Sequence, residues 1–144
     1  MLPVDPDLPP RPRVEPDVLA VIGAGGMLGA SARYGVARWL PPTSGHLPWA
    51  TFWTNVAGSF ALGLVLVVIV RRLGASRYVR PFVATGILGA FTTMSTYEVE
   101  TALLLKDGHR ATAVLYAVAS VVAGLAAVGL GIALGRRVVR GAPA

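Results

Sequence analysis

The chain contains few charged residues and no cysteine. Only 14% of its 144 residues are Asp, Glu, Lys or Arg, whereas 54% are hydrophobic, and the mean hydropathy is +0.63. This polar content is too low to cover a soluble domain of that size, and the chain is too hydrophobic to be disordered. The absence of cysteine excludes disulfides, thiolate metal sites and cysteine nucleophiles. These absences leave a membrane protein as the class to test.

Four long apolar segments follow a proline-rich start. Residues 1–17 hold six prolines and four acids, which favours a disordered or extended tail. The apolar segments cover residues 18–40, 50–70, 82–105 and 111–135. Each is long enough for the roughly 20 helical residues that a bilayer core requires. The sequence therefore predicts an all-α membrane protein, with four transmembrane helices at 18–135 and a basic C-terminal tail at 136–144.

Basic side chains are concentrated at one end of the predicted bundle. With four spans, the two termini and the second loop share one side of the membrane, which carries nine basic residues: Arg11, Arg13, Arg71, Arg72, Arg77, Arg80, Arg136, Arg137 and Arg140. The other side carries three, Arg38, Lys106 and Arg110. The positive-inside rule then places both termini in the cytoplasm and the chain in the cell (inner) membrane. The same bias explains the net charge of +6 without a nucleic-acid partner.

Small side chains recur every four residues along the fourth span, at Ala119, Ala123, Ala127, Gly131 and Gly135. Such a strip lets helix backbones approach closely in lipid. Two uses remain open, packing within one subunit and contact between subunits. Four short helices enclose little volume, so a transport path favours an oligomer.

The middle of the third span combines glycine with hydroxyl residues. Gly86 and Gly89 precede four hydroxyl side chains at positions 92, 93, 95 and 96. Glycine costs about 1 kcal/mol relative to alanine inside a helix. Although one hydroxyl could simply bond to a carbonyl one turn back, the combination favours a third helix broken near its middle, with freed carbonyl oxygens at a polar site. Such oxygens suit a small hard cation such as Na+.

Two other polar side chains lie within the apolar segments. Asn55 must find partners in protein or water, so it either clamps two helices or donates its NH2 to a permeating anion. Arg33 either extends its charge to the membrane interface or attracts anions into a vestibule. No phosphate loop, metal-ligand cluster or nucleophile–base pair is visible in the sequence, so an enzyme is not expected.

Three segments in a fixed order resemble the Fluc (CrcB) fluoride channel family. They read GGMLGASARY at 25–34, TNVAGSFALG at 54–63 and GAFTTMST at 89–96, and the resemblance covers about 22–135. It implies four-helix subunits that pair as antiparallel, dual-topology-type dimers around two fluoride pores and a central structural Na+. Such channels let fluoride leave the cell passively and so reduce its cytoplasmic toxicity.

The resemblance also implies roles for individual residues. The structural Na+ would bind the backbone carbonyls of Gly89 and Thr92. Asn55 matches the amide of the pore, and Ser95 and Thr96 match its hydroxyl track. Arg33, by the same resemblance, matches an arginine of the cytoplasmic vestibule.

The chain departs from the family at the aromatic residues of the fluoride path. The family usually reads Phe-Ser-Thr-Phe, whereas this chain has Met94 and Tyr97 at the two ring positions. A ring edge carries partial positive charge that can face an anion, and positions three apart share one helix face. Tyr97 keeps a ring edge and Met94 does not. Glu98 adds a negative charge close to the same path.

The charge bias bears on the choice of partner. A subunit that inserts in both orientations needs balanced charges, whereas nine against three indicates one fixed orientation. The alternatives are therefore a homodimer and a heterodimer with a paralogous subunit, in which this chain is non-conducting or half-active. A small multidrug exporter also has four spans, but it relies on an acid in the first helix and residues 18–40 contain none.

Overall fold

The structure, a computed structural model, describes residues 15–72 and 77–140, and all regular structure in these ranges is helical. The elements are α1 (Pro16–Trp39), α2 (Trp49–Arg72), a π-helical segment (Pro81–Leu88), α3 (Gly89–Phe91), α4 (Met94–Lys106) and α5 (Arg110–Arg140). The π-helical segment, α3 and α4 together form the third of four helical spans. The prediction of an all-α chain with four helical spans is confirmed.

Two boundaries differ from those expected. Helix α1 begins at Pro16 rather than at residue 18, because the fixed φ of proline suits the first turn of a helix. Helix α5 continues to Arg140, so the first five residues of the expected C-terminal tail are helical. Basic side chains stabilise the last turn of a helix by interacting with its dipole. The rest of the two expected tails, residues 1–14 and 141–144, lies outside the described residues.

Two helices, α2 over Trp49–Ile69 and α5, are long and apolar enough to cross a membrane by themselves. In α1, two arginines and several glycines lower the hydropathy. The third span is divided into pieces of 8, 3 and 13 residues. The first and third spans therefore depend on their neighbours to cover their polar backbone and side chains.

Helices α2 and α5 approach each other closely along their backbones. A Cβ atom added at Gly131 would collide with the carbonyl oxygen of Phe60, and one added at Gly135 would lie 2.9 Å from Cβ of Val67. Ala127, Gly131 and Gly135 are all buried. The C-terminal half of the small-residue strip therefore packs within the subunit, which is one of the two uses that the sequence left open.

Helix α1 makes a similar contact with the first part of the third span. A Cβ atom added at Gly25 would collide with the carbonyl oxygen of Phe82 and lie 3.1 Å from Cα of Gly86. One added at Gly29 would collide with the carbonyl oxygen of Ile87. The four spans thus form two close pairs, and the second part of the third span packs against α5.

A cluster of charged side chains joins α1 to the segment before the third span. Arg77 forms ion pairs of 2.9 Å with Glu15 and 2.8 Å with Asp17, and the hydroxyl of Tyr78 donates to Asp17 at 2.7 Å. The Tyr78 hydrogen bond, together with the charge of Arg77, lowers the pKa of Asp17. The start of α1 and the start of the third span therefore lie at the same end of the bundle, as four alternating spans require.

Candidate functional site

The third span is interrupted by two residues with extended backbone. Helix α3 ends at Phe91 and α4 begins at Met94, and ψ is 157° at Thr92 and 120° at Thr93. The Thr93 hydroxyl caps α4, because it accepts the N–H of Thr96 at 3.2 Å and donates to the Thr96 hydroxyl at 2.9 Å. β-Branched side chains favour extended backbone, and threonine is a good helix N-cap. The local sequence thus stabilises the restart of the helix at Met94.

Asn55 joins α2 to this interruption. Its Oδ1 accepts the backbone N–H of Thr93 at 2.8 Å, and its Nδ2 donates to the carbonyl oxygen of Thr93 at 2.9 Å. The side-chain amide therefore binds both the N–H and the C=O of one residue, Thr93. This geometry is the helix clamp, one of the two roles considered for Asn55. An amide NH2 has two hydrogens and the pair uses one, so a donor remains for a ligand.

The same hydrogen bonds release two backbone carbonyls. In a continuous helix the N–H of Thr93 would donate to Gly89 and that of Thr96 to Thr92. Here Thr93 donates to Asn55, and Thr96 donates to the Thr93 hydroxyl. The carbonyl oxygens of Gly89 and Thr92 thereby lose their helical donors, and both residues line one cavity.

This donor set suits a small hard cation. Across residues 15–72 and 77–140, no three His, Asp or Glu side chains come together in a way that could hold a metal ion. Hard cations prefer oxygen ligands, including backbone carbonyls. The residues present therefore fit a cation held by main-chain oxygen, although two oxygens are fewer than such an ion usually takes.

A cavity of about 500 Å³ lies beside the interruption. Its polar lining comes from α2, α4 and α5 as well as the interruption itself, and includes Asn55, Thr92, Thr93, Tyr97 and Ser120. The hydroxyl oxygen of Ser120 is buried and has no hydrogen-bond partner among the described residues. Most of the remaining lining is apolar and includes Met94, whose exposure is 64%. This first cavity offers a few hydrogen-bonding groups in an apolar wall.

A second cavity of about 420 Å³ lies on the other side of Thr93. Four threonines and one arginine supply its polar lining: Arg33, Thr51, Thr54, Thr93 and Thr96. Arg33 is half-buried. Arg33 and the Thr96 hydroxyl are the groups of this second cavity that attract a small anion. The other three threonine hydroxyls already donate their hydrogens to Glu100, to the carbonyl oxygen of Ala50 and to the Thr96 hydroxyl.

A carboxylate network lies next to the second cavity. Glu100 accepts hydrogen bonds from Thr51 at 2.9 Å and from Tyr116 at 2.8 Å, so both of its carboxylate oxygens have partners. Tyr116 is fully buried. The Tyr97 ring packs 5.3 Å from that of Tyr116, and its hydroxyl donates to the carbonyl oxygen of Ala117 at 3.2 Å. Helices α2, α4 and α5 are thus joined through polar side chains.

The predicted site residues divide between the two cavities. The first cavity holds Gly89, Thr92, Asn55, Met94 and Tyr97, and the second holds Arg33 and Thr96. Ser95 lines neither cavity; it is exposed, with its hydroxyl 3.4 Å from that of Thr93. Glu98 is also exposed.

The sequence analysis missed Thr51, Tyr116 and Ser120, and did not place Thr93 among the site residues. The sequence feature that could have identified these residues is a hydroxyl group inside an apolar helix. That feature alone does not identify a partner. Thr51 and Tyr116 bond to Glu100 on another helix, whereas the Ser120 hydroxyl has no partner among the described residues.

Comparison with known proteins agrees with this arrangement. The family described as CrcB-like protein, Camphor Resistance (CrcB), matches residues 20–132. The chain is 48% identical over 126 residues to fluoride-specific ion channel FluC 3 of Streptomyces avermitilis, covering 88% of this chain and 62% of that protein. It is 44% identical over 120 residues to FluC 2 of Nocardia farcinica, covering 83% and 86% respectively. For FluC 1 of Streptomyces coelicolor the identity is 43% over 128 residues, covering 89% and 83%.

This chain thus spans less than two thirds of the first of these relatives and more than four fifths of the other two. The matched range extends from the first helical span into the fourth and includes the lining residues of both cavities. The chain belongs to the CrcB family.

Proposed function

We propose that this chain is a subunit of a fluoride-specific ion channel that lets fluoride leave the cytoplasm passively. Three relatives that are 43% to 48% identical carry the name of such a channel. The family consists of ion channels and not enzymes, as the sequence predicted, and its members are membrane proteins. The charge bias along the sequence supports cytoplasmic termini for this subunit.

The observation that carries the proposal is that two cavities, each with several hydrogen-bonding groups, share Thr93 in their lining. Fluoride must exchange its water for other donors, and hydroxyl and amide groups are suitable neutral donors. Arg33 would raise the fluoride concentration at one end. Thr96 and the free N–H of Asn55 would then pass the ion to the ring edge of Tyr97.

A structural Na+ would bind the carbonyl oxygens of Gly89 and Thr92, where its positive charge would reduce the cost of bringing an anion into the membrane. Because the carbonyl oxygens of Gly89 and Thr92 are fewer ligands than a hard cation usually takes, a second subunit would complete the coordination. This requirement supports a two-fold symmetric dimer in which each subunit presents the same interruption, and the family resemblance implies that the two subunits are antiparallel.

Fluoride efflux from liposomes that contain only this chain tests the proposal. We expect efflux in NaCl above that of protein-free liposomes, slower efflux when N-methyl-D-glucamine replaces Na+, and no chloride efflux. Asn55→Ala should lose most of the flux. Thr101→Val is the matched control, because the Thr101 hydroxyl bonds to Tyr97 within α4 at 2.8 Å and lines neither cavity. Flux unaffected by Asn55→Ala would contradict the proposed path.

A second candidate is a half-active or non-conducting subunit that pairs with a paralogous chain. It is favoured by Met94, which brings no ring edge to the cavity, and by the nine-to-three charge bias. We then expect little efflux from the pure chain, recovery on co-expression with the paralogue, and higher efflux from Met94→Phe. Full activity of the pure chain would contradict an obligate partner.

A further inference from the structure

We propose that Asn55 and Thr93 are positioning residues that create the cation site by keeping backbone N–H groups away from the carbonyl oxygens of Gly89 and Thr92. This inference rests on the proposed Na+ site and deepens it. It assigns the origin of the site to two side chains that do not themselves bind the ion.

The Asn55 side chain keeps an N–H group away from the carbonyl oxygen of Gly89. Its Oδ1 lies 2.8 Å from the Thr93 nitrogen and accepts the N–H that the Gly89 oxygen would accept in a continuous helix. Its Nδ2 holds the Thr93 carbonyl at 2.9 Å, so the N–H and the C=O of Thr93, which belong to two consecutive peptide groups, are both bound to α2. Gly58, one turn further along α2, leaves room for the Thr92 methyl group, which a Cβ atom would strike. Helix α2 is therefore shaped to receive the interruption.

The Thr93 side chain keeps an N–H group away from the carbonyl oxygen of Thr92. Its hydroxyl accepts the N–H of Thr96 at 3.2 Å, which in a continuous helix would donate to Thr92. The same hydroxyl donates to the Thr96 hydroxyl at 2.9 Å, so its orientation is defined. Asn55 and Thr93 thus account for the N–H groups of residues 93 and 96, whose helical acceptors would be the oxygens of residues 89 and 92. The N–H groups of residues 94 and 95 lie in the first turn of α4 and likewise have no helical acceptor.

The arrangement couples the cation site to the ion path. The Asn55–Thr93 pair lines the first cavity, and Thr93 also lines the second. If Asn55 only donated to a passing anion, its loss would change fluoride flux and leave Na+ binding intact. If it positions the Thr93 peptide, its loss must also weaken Na+ binding in the absence of fluoride.

Na+ binding to the purified full-length chain in detergent, measured by ²³Na NMR line broadening in fluoride-free buffer, tests the inference. We expect Asn55→Ala and Thr93→Val each to weaken Na+ binding about fivefold to tenfold, because each returns one N–H to a carbonyl, a hydrogen bond worth roughly 1 kcal/mol. Thr93→Ser keeps the hydroxyl and should bind Na+ like the wild type. Thr101→Val, which removes a hydroxyl from the same helix, should also bind normally.

Wild-type Na+ affinity in both Asn55→Ala and Thr93→Val would overturn the inference while leaving the proposed channel intact. Equal weakening in Thr101→Val would also overturn it, since a general loss of stability would then explain the effect. Absence of Na+ binding to the wild type would overturn the cation site together with this inference, whereas the channel itself is judged by wild-type fluoride efflux. Asn55→Ala and Thr93→Val release different N–H groups. If only one of them can be purified as a monodisperse protein, the Na+ affinity of that variant alone decides whether the inference holds.

Discussion

Polar side chains inside the spans hold other polar groups in place. Asn55 pairs with the peptide of Thr93, and Glu100 receives Thr51 and Tyr116. Unpaired polar groups cost several kcal/mol in a bilayer core, so each residue of this kind specifies the position of a partner on another helix. At the scale of single residues, these pairs set the geometry of the two cavities.

Loss of the Tyr116 hydroxyl should destabilise the protein. Tyr116→Phe removes a donor to Glu100, and hydrogen bonds to a carboxylate are about twice as strong as neutral ones. We expect the free energy of unfolding to fall by about 1–3 kcal/mol. Tyr97→Phe, which removes a neutral hydrogen bond of 3.2 Å, is the matched control and should cost less. Denaturant unfolding in detergent measures both, and an equal or larger loss in Tyr97→Phe would contradict the expectation.

The contact between Gly58 and Thr92 can be tested by a compensating pair of substitutions. A Cβ atom at position 58 would strike the Thr92 methyl group, so Gly58→Ala should destabilise the protein by about 1–3 kcal/mol. Thr92→Ser removes that methyl group and keeps the hydroxyl that donates to Leu88. We expect the double variant to regain most of the thermal stability lost by Gly58→Ala. Additive losses in the double variant would show that the contact is not the cause.

At the scale of elements, helices pair where glycine leaves the backbone uncovered by a side chain. Gly25 and Gly29 admit the first part of the third span against α1, and Gly131 and Gly135 admit α2 against α5. In lipid, where apolar side chains gain little from leaving the solvent, such close backbone contact supplies the packing energy. The two pairs hold the four spans together on either side of the interruption.

Replacement by alanine should change the stability of the protein differently at two glycines on one turn of α5. Gly131→Ala places a Cβ atom against the Phe60 carbonyl, and we expect a loss of about 1–3 kcal/mol in stability. Gly129 is exposed, and a Cβ atom there meets nothing within 4 Å. Gly129→Ala should therefore be neutral or stabilise the protein by up to about 1 kcal/mol through helix propensity. Thermal unfolding of the two variants checks this, and similar losses at both positions would contradict the packing of α5 on α2.

The stability that the charged cluster at the start of α1 contributes should depend on pH. The folded-state pKa of Asp17 lies below its ordinary value of 3.8. Its carboxylate therefore stabilises the contact above that value, and the contribution is lost as the pH falls through the lower folded-state pKa. Tyr78→Phe removes the main cause of the shift, so the pKa of Asp17 should rise toward 3.8. A ¹³C NMR titration of the Asp17 carboxyl measures the change, with Tyr34→Phe as a control. An unchanged titration in Tyr78→Phe would contradict the contact.

The molecule as a whole is polar at its ends and apolar around its outer face. Large hydrophobic residues on one face of α5 are exposed: Val114, Val118, Val121, Val122 and Leu125. The described basic residues at the end that holds the start of α1 outnumber those at the opposite end. The outer face is thus suited to lipid or to a second subunit, and the ends to water and headgroups.

The orientation in the membrane separates the homodimer from the heterodimer. An antiparallel homodimer requires insertion in both orientations, whereas the nine-to-three distribution of basic residues favours the single orientation that the heterodimer requires. Because the chain has no cysteine, single cysteines can report the orientation without background. For the heterodimer, Ala144→Cys should react with a membrane-impermeant maleimide only after cells are permeabilised. Thr43→Cys, in the exposed loop between α1 and α2, should react in intact cells. Partial labelling of both positions in intact cells would indicate insertion in two orientations.

The sequence by itself determined the class, the four spans and the family. Hydropathy, span length and three ordered motifs are local properties, so they can be read without knowing which helices touch. The sequence also identified Gly89, Thr92 and Asn55 as residues of interest, because glycine, threonine and asparagine are unusual in the middle of apolar helices.

Only the tertiary structure decided what those residues do to one another. The pairing of Asn55 with the Thr93 peptide and of Glu100 with Tyr116 joins residues 38 and 16 positions apart. The structure also shows that Ser95 lines neither cavity. Such partners are set by how helices pack, which depends on close contacts such as that of Gly131 with Phe60. Hydropathy and motif order do not contain this information, because a hydrogen bond depends on distance and direction between groups on different helices.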